Sequence, residues 1–137
     1  MLDKINGLDI LNQLYASVIT TPEIAKEYGK TLPNWVIVQP ANSSLKEKFS
    51  TYVDDGEASA IALASEITCD FIIVDDMAAR KLAKKLGLSI KGTMGILLQA
   101  RQEGIITSLR PYLDLIQQTN FRLSQQLAEQ FIKDAGE

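Results

Sequence analysis

Phe71-Ile72-Ile73-Val74-Asp75-Asp76 is a continuous apolar run closed by two acids. Four β-favouring residues without polar alternation are the pattern of a parallel strand buried on both faces. Met77 to Leu86 follows as a helix that stops at Gly87. Upstream, Asp54-Asp55-Gly56-Glu57 leads into Ala58-Ser59-Ala60-Ile61-Ala62-Leu63-Ala64, a helix of small residues that can pack closely on a sheet. Helix, strand and helix in this order point to an α/β fold with a parallel sheet.

The same alternation extends in both directions. Leu2, Ile5, Leu8, Ile10, Leu11 and Leu14 fall near helical spacing, interrupted at Gly7. Val18-Ile19 is a short apolar run, and Thr21-Pro22-Glu23 opens a helix to about Tyr28, with a cap residue before proline. Gly29 to Asn34 reads as a turn and Trp35 to Val38 as a strand closed by Pro40. A polar helix runs from Ser43 or Ser44 to about Tyr52. Beyond Gly87, Leu88-Ser89-Ile90 is a short strand, and Gly92-Thr93 caps a helix from Met94 to about Glu103. Two amphipathic helices, Ser108 to about Gln118 and Ser124 to Asp134, are joined through Asn120. With no repeat, low-complexity tract or linker, 137 residues make one domain.

Composition narrows the chemistry. With 46% hydrophobic and 23% charged residues the chain is an ordinary globular protein. No apolar run reaches the ~18 residues of a membrane helix, and the N-terminus lacks a signal-peptide pattern, so a cytoplasmic protein is expected. The absence of histidine excludes serine-hydrolase triads and the usual zinc sites. Cys69 has no second cysteine to pair with and is expected as a small buried filler. What remains for acid, base or metal chemistry is carboxylate: 17 Asp and Glu. A net charge of −3 does not advertise a nucleic-acid surface.

In a parallel α/β sheet, ligands collect beyond the carboxyl ends of the strands. Asp75 and Asp76 follow one strand directly, Glu57 opens the helix before it, and Glu27 lies in the helix after Val18-Ile19. A magnesium or manganese ion takes oxygen ligands and keeps several waters, so a few such carboxylates suffice. Each also has a bland explanation. The helix macrodipole favours acids in a first turn, which covers Glu57 and Asp76; Glu27 reads equally as a solvated helix residue. Asp54 and Asp55 read as turn and capping residues.

The string from Asp55 to Ala64, the run Ile72 to Asp76 with Ala79-Arg80-Lys81-Leu82-Ala83, and the later Gly92-Thr93-Met94-Gly95-Ile96-Leu97-Leu98 with Gly104-Ile105-Ile106 together resemble a PIN-domain nuclease-like branch related to VapC-type toxins. The ending Phe121-Arg122-Leu123-Ser124 fits the same branch. The resemblance covers nearly the whole chain from Leu2. It implies a three-layer domain, a parallel sheet flanked by helices, and an RNase that uses Mg2+ or Mn2+. By position, Glu27 resembles the acid of the family's second helix, Glu57 the acid before the third core strand, and Asp75 or Asp76 the acid after it. Glu57, Asp75 and Asp76 are thereby the expected metal holders, with Glu27 beside them in catalysis. The metal would polarise the scissile phosphate and activate a water.

One departure stands out. In the family a strand bearing an aspartate precedes the helix that here begins at Leu2, so the resemblance implies a domain whose first strand is missing. Asp3 lies inside the predicted helix and is no substitute. A missed upstream start, a truncated gene, or a strand supplied by another chain would each explain this. Elsewhere, Arg80, Lys81, Lys84 and Lys85 form a basic strip that can guide RNA or serve as a plain solvated face. Thr93 reads as an N-cap near the site, and Trp35 and Tyr112 as packing or interface residues. The expectation is a PIN-type ribonuclease, of the kind that serves as a toxin with an antitoxin partner, forming a homodimer that buries an exposed sheet edge. A catalytically degenerate dimerisation, antitoxin-binding or RNA-binding module is the alternative.

Overall fold

The computed structural model describes residues 1–137. A 3-10 turn, Leu2–Ile5, ends where Asn6 enters the left-handed region at φ 59°, and Gly7 starts α1, Leu8–Leu14. Strand β1, Val18–Thr20, runs into α2, Pro22–Tyr28, capped by the Thr21 hydroxyl accepting from the Ile24 N–H. β2 is Val36–Val38 and α3 is Ser43–Phe49, capped by Asn42 and three residues shorter than its polar pattern suggests. α4, Asp55–Glu66, precedes β3, Ile72–Ile73, and α5, Met77–Lys85. β4 is Ile90–Lys91, displaced toward Gly92 from the expected Leu88–Ile90. α6, Thr93–Gln102, α7, Arg110–Gln117, and α8, Gln125–Asp134, complete the chain. The α/β reading holds: short parallel strands flanked by helices.

The chain divides into two compact units. One joins Met1–Ala16 to Thr93–Glu137 and is helical. Ile5, Ile96, Leu97, Leu109 and Ile116 are fully buried in it, as the apolar faces of its helices dictate. The Glu137 carboxylate accepts from the Ser108 hydroxyl at 2.6 Å and the Leu109 N–H at 2.8 Å, closing the start of α7, with Arg101 3.5 Å away.

The other unit, Ser17–Gly92, holds all four strands and the candidate residues. α4 is its core: Ala58, Ile61 and Ala62 are completely buried among Phe49, Val53, Ile72, Val74, Ala79 and Ala83. The alanines let α2, α3, α5 and β3 approach α4 closely. The strands form two parallel pairs, β1–β2 with Val18 opposite Val36 and β3–β4 with Ile72 opposite Ile90. Ladder alternation turns the backbone groups of Ile19 and Ile73 away from their partners, and neither β1 nor β3 pairs with a further strand. This corrects the expectation of a strand buried on both faces: Ile72 and Val74 pack against α4, while Ile73 remains 37% exposed. Cys69 is likewise exposed, because it lies in the connection between α4 and β3, and connections run over the surface.

Candidate functional site

Three helices, α2, α4 and α5, carry the acids that meet. Asp54 caps α4, its Oδ1 accepting from the Glu57 N–H at 3.1 Å, so Glu57 is held in the first turn. Asp76 caps α5 in the same way, its Oδ2 accepting from the Ala79 N–H at 3.0 Å. Glu27, in the last turn of α2, directs its carboxylate onto the first turn of α4: a side chain at Gly56 would place its Cβ 2.5 Å from Glu27 Oε1. Glycine costs helix stability, and here its bare Cα admits the carboxylate.

Glu57 is where these charges meet. Its carboxyl is pushed up to about 7, first by burial and then by the charges of Asp54, Asp76 and Glu27. Of the expected residues, the structure therefore brings Glu27, Glu57 and Asp76 together and adds Asp54. Asp55 joins neither cap nor cluster; it pairs with Lys46 at 3.1 Å, and Lys46 reaches Glu23 at 3.5 Å, tying α2, α3 and α4.

Asp75 turns elsewhere. A Cβ at Gly92 would lie 3.0 Å from Asp75 Oδ1 and 2.8 Å from Arg80 Nη1, so acid and guanidinium converge on that glycine. Arg80 also donates to the Val74 carbonyl at 3.1 Å, fastening α5 to the end of β3. It is half-buried, whereas Lys81, Lys84 and Lys85 are exposed. Thr93 is buried and stands at the first position of α6.

A buried hydroxyl pair supports the cluster from behind. Ser59 Oγ donates to the Gly56 carbonyl at 2.6 Å and lies 2.7 Å from Thr21 Oγ1. Ser59 has one proton and spends it on Gly56, so Thr21 donates to Ser59 and accepts from the Ile24 N–H. The chain of bonds locks the start of α2 to the first turn of α4. Sequence spacing marks Thr21 as a cap but gives no sign of its partner 38 residues away.

The donor set is all carboxylate oxygen, suited to a hard divalent ion that keeps waters. As the side chains stand, no three acids are near enough to hold one ion directly. No helix is long and apolar enough to cross a membrane.

A family model described as a PIN domain matches residues 1–137, spanning both compact units. No curated protein and no solved structure matches the chain.

Proposed function

This chain belongs to the PIN-domain family, and on that premise we propose that it is a Mg2+- or Mn2+-dependent ribonuclease whose site is Glu27, Glu57 and Asp76, with Asp54 at its margin. The observation that carries the reading is the meeting of acids at the first turn of α4: the Glu27 carboxylate lies against Gly56 beside the half-buried Glu57, whose carboxyl is raised to about 7 first by burial and then by the charges of Asp54, Asp76 and Glu27, and a divalent cation would relieve that concentration of charge. Glu27, Glu57 and Asp76 would hold the ion together with bridging waters. When bound, it supplies charge for the phosphodiester and an activated water. Glu57 holds a proton below neutrality and competes there with any cation. Arg80 holds the end of β3 from which Asp76 follows. The exposed Lys81 and Lys84 draw the phosphate backbone toward the site.

Within this reading the two units act as one domain of a cytoplasmic toxin, paired with an antitoxin protein. The open edges of β1 and β3, with Ile19 and Ile73 exposed beside them, favour a homodimer that covers them. A second reading, a catalytically degenerate dimerisation, antitoxin-binding or RNA-binding module, is favoured by one observation: no three acids converge on one ion position. Incubating the purified chain with RNA and Mn2+ separates the two. The enzyme reading expects cleavage that chelation and Glu57→Gln both abolish; intact RNA at millimolar Mn2+ would overturn it.

A further inference from the structure

α2 carries Glu27 to the acidic cluster, yet none of its seven residues is buried. Apolar packing therefore does little to fix α2 on α4. α3 differs, because its Phe49 lies in the core and its Leu45 packs against it. What attaches α2 is polar. Its cap residue Thr21 is tied to Ser59 of α4, and Glu23, in its first turn, meets Lys46 of α3 at 3.5 Å. The same ammonium reaches Asp55, in the first turn of α4, at 3.1 Å.

Lys46 stands on a fixed base. The Asn42 side chain caps α3 by accepting from the Leu45 N–H at 3.0 Å, and the Asn42 N–H donates to the Glu66 carboxylate, at the end of α4, at 2.8 Å. The Lys46 carbonyl accepts from both the N–H and the hydroxyl of Ser50 at 2.9 Å. α3 is thereby joined to α4 at its start and through the core, and Lys46 reaches out from it. Glu23 lies one helical turn before Glu27, on the same face of α2. Asp55 lies two residues before Glu57. A helix held at one point can turn about it; a second tie, on the face that carries Glu27, determines which way that face looks.

Resting on the reading of Glu27, Glu57 and Asp76 as a cation site, we propose that Lys46 is the positioning residue for Glu27: by gripping Glu23 and Asp55 it clamps α2 to the first turn of α4 and holds the Glu27 carboxylate over Gly56, so that the acids are set before an ion arrives. The charges that act on Glu57 are those of Asp54, Asp76 and Glu27, whereas the ammonium of Lys46 is engaged by Asp55 and Glu23. Ion pairs this open to solvent add little to stability, so the value of this one is geometric. Geometry and charge predict opposite signs. A lysine acting by charge alone repels a divalent ion, and its removal strengthens binding; a clamp acting through Glu27 weakens binding when it is removed.

The test measures Mn2+ affinity, and separately the amide hydrogen exchange of α2 in chelator, on wild type, Lys46→Ala, Lys46→Arg, Glu27→Gln and the double variant Lys46→Ala with Glu27→Gln. Lys48→Ala, an exposed lysine of the same helix, is the control for lost charge. Lys46→Ala is expected to weaken Mn2+ binding roughly ten-fold, Lys46→Arg hardly at all, and Lys46→Ala should have little further effect once Glu27 is Gln. Exchange in α2 should quicken in Lys46→Ala and stay unchanged in Lys48→Ala. Equal or tighter Mn2+ binding by Lys46→Ala, an equal loss in Lys48→Ala, a full loss that persists in the Glu27→Gln background, or unchanged exchange in α2 would each overturn the proposal. Faster exchange in Lys46→Ala with no Mn2+ binding by wild type would remove the cation site and leave the clamp standing.

Discussion

The carboxylate of Glu27 occupies the space in which a side chain at Gly56 would begin, its Oε1 2.5 Å from that Cβ position. One glycine therefore decides whether α2 can deliver its acid to the first turn of α4. Gly56→Ala is expected to leave thermal stability equal or higher, since alanine favours the helix by up to about 1 kcal/mol and the displaced group is the free end of a flexible chain. Mn2+ affinity and cleavage should fall together. A variant that is destabilised yet binds Mn2+ normally would contradict the placement of Glu27.

Glu57 sets a pH dependence with a definite sign. Its folded value of about 7 lies above the ordinary 4.5, so between these limits the folded protein keeps a proton that the unfolded chain has lost. Its contribution to stability is fully present below about 4.5 and is lost as pH rises through about 7. Urea unfolding in chelator should show wild type losing stability relative to Glu57→Gln across that window. Parallel curves for the two would remove the crowding of acids around Glu57.

The hydroxyl chain from Thr21 through Ser59 to the Gly56 carbonyl predicts coupling. Ser59→Ala should cost about 1–2 kcal/mol by leaving buried groups unpaired, and Thr21→Val a similar amount with its cap lost. The double variant should cost less than the sum, because both remove the same bond. Strict additivity in denaturant titrations would show that the two hydroxyls do not share a bond.

Arg80 and Lys84 sit on one helix but should fail differently. Arg80→Ala removes the bond to the Val74 carbonyl and is expected to lower stability by about 1–2 kcal/mol. Lys84→Ala should leave the melting temperature unchanged, while RNA binding weakens and its salt slope drops by about one. A stable Arg80→Ala variant with weakened RNA binding would return Arg80 to the basic strip.

Much of the fold is legible in the residues because its signals are local. Thr21-Pro22 starts α2, Gly7 breaks the first helix, and the alanines of α4 mark a closely packed face. What escapes the sequence depends on distant partners. The apolar pattern of β3 is the same whether one face or two are covered, and Ile73 is left exposed. Cys69 follows its loop to the surface instead of its type's preference for burial. Adjacent in sequence and identical in chemistry, Asp75 and Asp76 meet different neighbours in the connection between β3 and α5. One meets Gly92 and Arg80, while the other caps α5 and joins Glu57. Glycine in the first turn of α4 was the one local hint that another group comes close there.

The most direct test of the Glu27, Glu57 and Asp76 site is Mn2+ binding followed by electron paramagnetic resonance on wild type, Asp76→Asn and Asp75→Asn, with folding checked by melting temperature. Wild type should bind Mn2+, Asp76→Asn should lose about ten-fold or more in affinity, and Asp75→Asn should retain most of it. No binding by wild type at millimolar Mn2+, or a loss in Asp75→Asn as large as that in Asp76→Asn, would contradict the assignment of the site.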